Sequence, residues 1–375
     1  MEKAQRLISL DVLRGITIAG MIIVNNPGSW KHVYTPLTHA VWNGLTPTDL
    51  VFPFFMFIMG ISTYISLKKF NFSFSLPLIK KVIKRTILLF LIGLFINWCA
   101  KGMCSFQELR IPGVLQRLAL CYFFTVIICT NIHEKYIPAL ITVLLLIYQI
   151  ILVTGNGFVY GPQNIIAVID QYILGASHLY NDHGIDPEGI LSTIPSISHT
   201  LIGYCIGKIC IEKENIHSKL EKLFLIGTVL LFAGYLFSYG CPINKKIWSP
   251  TYVFMTCGAG ILLLSLLIWI IDIRKYQKGF KLFTVYGVNP LFCYTAGELL
   301  FIALIHISIG GNTLHTRYYQ HVLAHYFGDN CFSSLLMALS IAVVIGIIGY
   351  TLYRKNIYIK TIVRQKFAKP KRLWQ

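Results

Sequence analysis

Residues 25–49 read NNPGSWKHVYTPLTHAVWNGLTPTD, and the reading of this stretch decides how the chain is built. It lies between two apolar runs, 8–25 and 48–67, each long enough to cross a bilayer. A connection that only joined two membrane helices has no need of His32, His39, Trp30, Trp42, Asn25, Asn26, Asn43 and Asp49 within so few residues. The stretch therefore reads as a loop that folds into the mouth of a helix bundle and carries chemistry.

Working outward, 55% of the 375 residues are hydrophobic, 13% are charged and the mean hydropathy is +0.64. Soluble domains carry about 25% charged residues. The chain is thus expected to be an all-α, polytopic membrane protein, one transmembrane domain over residues 1–375. Ten spans are expected, near 8–25, 48–67, 82–98, 111–130, 136–153, 190–211, 220–238, 249–271, 287–306 and 333–353. The net charge of +18 is spread over short loops rather than gathered in a basic domain, so nucleic acid is not the expected partner. MEKAQR runs straight into a segment holding Asp11 and Arg14, a pattern without a cleaved leader. The ten cysteines show no metal-ligand spacing, and no metal is expected. Cys99 and Cys104 share one loop and are a candidate disulfide if that side is oxidising.

With the N-terminus inside, 25 of the 33 Lys and Arg residues fall in cytoplasmic segments and 6 in outer ones, a bias that sets both termini in the cytoplasm. The 25–47, 99–110, 154–189, 239–248 and 307–332 connections then face outward. Thr46-Pro47-Thr48-Asp49 reads as N-cap, helix-opening proline and first-turn acid. Asp186-Pro187-Glu188 repeats the device before the sixth span. Asn289-Pro290 repeats it at the cytoplasmic start of the ninth, where free amides suit a phosphate, with Lys278 and Lys281 just before.

Asp11 and Arg14 share a helix face. Arg14 either locks two helices through this pair or lines a path for an anionic ligand. Arg117, beside Gln116, has no acid within a turn, so its partner is either Glu298 or a bound ligand. His39 is the candidate general base, since histidine exchanges a proton near neutral pH. His32 ranks below it, and His199 reads as a core residue. Asn25, eleven residues beyond Arg14 and so about 16 Å further along a helix, either caps its span or polarises a carbonyl. Asp49 reads first as a cap.

RLISLDVLRGITIAGMIIVNN, THAVWNGLTPTDLVFPFFMFIMG, RIPGVLQRLALCYF, DPEGILSTIPSI, PINKKIWSPTYV and YGVNPLFCY resemble, in order, the motifs of the heparan-α-glucosaminide N-acetyltransferase family, on its bacterial branch. The resemblance implies a membrane acyltransferase that takes acetyl from cytosolic acetyl-CoA and gives it to an amino sugar of glucosamine type outside. It implies His39 and Asn25 as catalytic residues. Arg14, Arg85, Arg117, Gln116, Lys84, Lys281, Asn289 and the basic tail from Arg354 would hold the CoA, and Trp42, Asn43 and Asn26 the acceptor. It also implies a homodimer and, for a bacterial chain, the inner membrane. The family runs through glycines between its asparagine and histidine; here Asn26-Pro27-Gly28-Ser29 opens a longer path, which reshapes the acceptor pocket. The competing reading is a sugar or anion transporter, against which the sequence offers neither inverted repeats nor interrupted helix pairs.

Overall fold

A computed structural model describes residues 7–180, 182–212 and 214–359. The apolar runs form helices α1 (Ile8–Asn25), α2 (Val51–Lys68), α3 (Leu76–Ala100), α4 (Val114–Asn131) and α5 (Ile137–Thr154). After a short helix α6 (Ile165–Leu174) come α7 (Thr193–Ile211), α8 (Ile216–Phe237) and α9 (Pro250–Leu267), then α10 (Lys281–Val288) and α11 (Pro290–His306). A small hairpin of β1 (Ser308–Ile309) and β2 (Asn312–Thr313), with short helices α12 (Leu314–Tyr318) and α13 (His325–Phe327), leads to α14 (Cys331–Arg354). Among the described residues, nine helices are long and apolar enough to cross a membrane, so the chain is an all-α polytopic membrane protein.

The tenth crossing differs from the straight span expected over 287–306. It is a broken pair, with the segments Lys278–Val288 and Pro290–His306 bent by 78°. Pro290 has no N–H to continue the ladder, which accounts for the break. The bend leaves the carbonyls at the end of α10 without helical partners. Arg14 takes one of them, donating to the Gly287 oxygen at 3.3 Å, while it also reaches Asp11 at 3.0 Å and Ser62 at 2.9 Å. An interrupted helix pair is therefore present, contrary to the sequence reading.

Glycines let the helices meet closely. A Cβ on Gly60 of α2 would overlap the Thr200 carbonyl of α7, one on Gly203 of α7 would overlap the Phe57 carbonyl of α2, and Gly207 packs on α2 less tightly. This small-residue spacing, four apart along α7, draws membrane helices together where lipid provides no hydrophobic drive. Gly15 of α1 and Gly287 of α10 make a second such crossing.

The loops sort to two ends. At one end Gly44 N–H donates to Ile243, Trp42 to Phe158 and Ile111 to His178, which ties 26–47, 101–113, 155–192 and 239–249 into one cap. At the other end lie Lys68, Lys69, Lys81, Lys208, Arg274, Lys278, Lys281 and Arg354. Lys3, Arg6, Lys213 and the basic residues from Lys360 onward lie outside the described residues. Cys99 and Cys104 are both free thiols, not a disulfide.

Candidate active site

The site starts from a helix cap. The Thr46 hydroxyl accepts the Asp49 N–H, and the Asp49 carboxylate accepts the Thr46 N–H at 3.1 Å, closing a capping box with Pro47 at the first position. This is the device read from the sequence. The structure adds that the same carboxylate, with no side-chain exposure, reaches His39: Nδ1 lies 2.7 Å from Oδ1. Oδ2 also accepts the Ala40 N–H at 3.1 Å. With this many donors converging on it, the carboxylate is held as the anion, so the imidazole carries its proton on Nδ1 and turns the Nε2 lone pair outward. The His39 side chain is 47% exposed, open to an incoming molecule.

A second group was not foreseen. The ammonium of Lys245, 206 residues away in sequence, lies 3.0 Å from Nδ1 and 3.2 Å from Nε2 of His39, and 3.6 Å from Asp49. With Nδ1–H engaged by Asp49, Lys245 donates to Nε2. Burial pulls its pKa below the ordinary lysine range, while Asp49 and Glu188 act against that shift. Glu188 in turn is held by Arg110 at 2.6 Å, and Arg110 grips Asp186 at 2.6 and 2.9 Å. Burial disfavours the Arg110 charge, but the two acids outweigh it and raise its pKa. Asp186 thus anchors Arg110 rather than opening a helix: α7 starts only at Thr193.

Asn25 donates to Glu298 of α11 at 2.8 Å. The pair joins the loop-side end of α1 to α11. Asn26 is fully buried, with its amide on the Ile22 carbonyl at 2.5 Å and its side-chain oxygen without a hydrogen-bond partner among the described residues. It sits beneath the loop rather than at its surface.

The rest of the loop is braced. Asn43 accepts from Asn244 at 3.1 Å. Trp42 stacks on Tyr160 with ring centres 4.6 Å apart. Tyr160 donates to Asp182 at 2.5 Å, and Lys246 joins both at 2.9 and 2.6 Å. This aromatic and charged platform on the 155–192 connection was not singled out in the sequence. His32 sits apart, 3.6 Å from Asp329.

Arg117 does not pair with Glu298, whose carboxylate accepts from Asn25. It is 1% exposed, donates to the Gly189 carbonyl at 2.8 Å and to the Ser192 hydroxyl, and lies over the Trp248 ring at 5.2 Å. Its Nε and Nη1 are buried without a hydrogen-bond partner among the described residues. Gln116 wedges its amide against Gly93 of α3 and Gly113. At the basic end, Arg85 lies over the Tyr122 ring at 4.3 Å, and Lys84 and Lys281 are exposed on two different helices. The Asn289 terminus is already occupied: its amide donates to the Ile357 carbonyl at 3.0 Å and accepts the Ile359 N–H at 2.8 Å. A phosphate there would have to displace the chain's own backbone. The tail beyond Ile359, expected to help hold CoA, lies outside the described residues.

Residues 6–239 match the family described as heparan-alpha-glucosaminide N-acetyltransferase, catalytic. The mouse protein named heparan-alpha-glucosaminide N-acetyltransferase is 31% identical to this chain, covering 80% of it and 54% of the relative. The human protein of that name is 30% identical, covering 78% and 53%. The chain thus spans about half the length of the curated relatives it matches.

Proposed function

Because the chain belongs to the heparan-α-glucosaminide N-acetyltransferase family, we propose that it transfers an acetyl group from acetyl-CoA at the basic end of the bundle to the amino group of a glucosamine-type sugar at the loop end. The observation that carries this reading is the 2.7 Å pairing of His39 with the buried Asp49, which leaves Nε2 as the accepting nitrogen, faced by Lys245 at the loop surface. Asp49 fixes the tautomer, as the carboxylate does in hydrolytic triads.

The acceptor arrives as an ammonium and displaces Lys245 from Nε2. His39 takes one proton from it, and the freed nitrogen attacks the thioester carbonyl. The C–N bond forms, the C–S bond breaks, the imidazolium returns its proton to the departing thiolate, and the second ammonium proton leaves the new amide nitrogen for solvent. In the second route Nε2 attacks first and carries the acetyl group to the amine. Asn25, held by Glu298, would present an N–H to the carbonyl oxygen as charge develops there. Trp42, stacked on Tyr160, would lie under a sugar ring, with Asn43 beside it. Arg117 and Gln116 would meet the acyl-bearing end of the donor and Arg85, Lys84 and Lys281 its phosphates. The distribution of Lys and Arg supports the basic end as cytoplasmic, which for a bacterial chain means the inner membrane. A homodimer inferred from the family is part of the same proposal.

One observation favours a second reading. The break between α10 and α11 is a feature of substrate paths in transporters. Transport alone has no use for an oriented His39. Purified protein mixed with acetyl-CoA and glucosamine, assayed for free CoA, separates the two. The acyltransferase reading expects release by the wild type and loss in His39→Ala. No release by the folded wild type would overturn it.

A further inference from the structure

A groove of about 600 Å³ runs along the outside of the bundle between α1, α10 and α14. Its lining is apolar, with Ala19, Phe283, Val285, Ala342 and Val343 among its walls, and among the described residues its one charged group is Lys281 at one end. The floor is fixed: Tyr286 donates to the Ala342 carbonyl at 2.5 Å, and Gly346 leaves room for that ring. The rim residues Leu282, Val343 and Ile347 are 58%, 59% and 62% exposed. Leu282 lies on the short α10, and Val343 and Ile347 on α14, which is long and apolar enough to cross a membrane.

Length and charge specify the occupant. From Leu339 to Tyr350 the α14 wall runs eleven residues, about 16 Å at helical rise. Half of a hydrocarbon core of about 30 Å is about 15 Å, so the groove matches the depth of one leaflet. Lys281 opens α10 and Tyr350 is one turn from the end of α14, so both mark the basic end of the bundle. Lys278 lies one turn before Lys281, and Arg354 and Lys355 one turn after Tyr350. No Asp or Glu occurs between residues 273 and 297, or anywhere after Asp329. The charged residues that α10 and α14 bring to this end of the groove are therefore all cationic, while the groove itself offers almost nothing to the amides of a pantetheine arm.

We propose that this groove is a binding site for an anionic glycerophospholipid of the leaflet at the basic end, with one acyl chain along α14 and the phosphate against Lys281. Basic pockets between membrane helices on that side recognise such headgroups, and each cation near an anionic surface adds to the attraction. Lys281, which the acetyl-transfer reading places with the donor phosphates, is shared between the two, so the test reads lipid contact and not acetyl transfer.

The test uses the whole protein in nanodiscs of phosphatidylcholine carrying a small amount of photoreactive lipid, with a diazirine midway along one acyl chain. The headgroup of that probe is either phosphatidylglycerol or phosphatidylcholine. Crosslinked peptides are mapped by mass spectrometry. Expected are adducts concentrated on α10 and α14 at the groove, at least fivefold more with the anionic probe. Lys281→Gln should bring that ratio close to one, and Val343→Trp should deplete adducts at the groove without changing those on α5 and α8. Adducts spread evenly over all lipid-facing helices would overturn the proposal, as would equal labelling by the two probes in the wild type. So would protein–protein crosslinks at the groove in place of lipid adducts, which would assign the face to a second copy.

Discussion

Substituting Asp49 by Asn removes one charge and almost no volume, and its effect follows from the hydrogen bonds around the carboxylate. Oδ2 accepts N–H groups from both Ala40 and Thr46 at 3.1 Å. An asparagine cannot set its NH2 against two donors, so its oxygen must take that position. Its NH2 then faces His39 Nδ1 across what was a 2.7 Å contact. The imidazole is forced into the tautomer with its proton on Nε2, and the lone pair that should receive the acceptor's proton is gone. The matching change in a hydrolytic triad lowers kcat by about 10⁴. A loss of about 10³ to 10⁴ is expected here, about 4–5 kcal/mol of transition-state stabilisation at 1.36 kcal/mol per decade. The capping role survives in Asn, so thermal stability should change little. The assay is steady-state acetyl transfer from acetyl-CoA to glucosamine, with a melting curve on the same preparation. A folded Asp49→Asn variant within tenfold of wild-type kcat would refute the tautomer argument.

Asn25→Ala should lower kcat by about 10² to 10³, the usual loss of one donor to a developing oxyanion, with KM for acetyl-CoA little changed. Glu298→Gln still accepts from Asn25 and should lose far less; equal losses in the two variants would contradict this division of roles. Gly60→Ala forces a methyl into the Thr200 carbonyl and should destabilise the α2–α7 pairing by about 1–3 kcal/mol, read as a lower melting temperature in detergent. Asp170, in the loop-end helix α6, is pushed up to about 6 by burial, against the pull of the Leu191 and Ile190 N–H groups and of Arg117. A carboxyl with a raised folded-state pKa binds its proton more tightly when folded, so its contribution is largest below about pH 4 and is lost as pH rises through about 6. Asp170→Asn keeps the acceptor for Ile190 and Leu191 and should flatten that part of the stability–pH curve; parallel curves for the two proteins would count against it.

The sequence was most legible where composition alone sets the answer. Hydropathy located nine helices, and the lysine and arginine bias sorted the loops, because both depend on local residue content. It could not reveal the 78° bend at Asn289-Pro290, since hydropathy measures how apolar a segment is and not its direction. Thr46-Pro47-Thr48-Asp49 was correctly read as a cap, but one carboxylate has two oxygens, and the second role depends on a loop bringing His39 back over ten residues. Lys245 lay beyond any local pattern because its partner is 206 residues away. A usable signal existed nonetheless. Outer loops disfavour cations, so the few that occur there need a reason. Of the six in the expected outer loops, Arg110, Lys245 and Lys246 all take part in the charged network around the loop-end mouth. Arg117 was rightly marked as unusual, but its hydrogen-bond acceptors are a backbone carbonyl and a hydroxyl, groups that no charge-based search finds.

The central claim is that acetyl crosses from the basic end to the loop end. Sealed proteoliposomes of known orientation, with glucosamine inside at the loop end and acetyl-CoA outside at the basic end, test it directly. Wild-type protein should accumulate N-acetylglucosamine in the lumen, and His39→Ala should not. Product that forms only when donor and acceptor share one compartment would contradict the account.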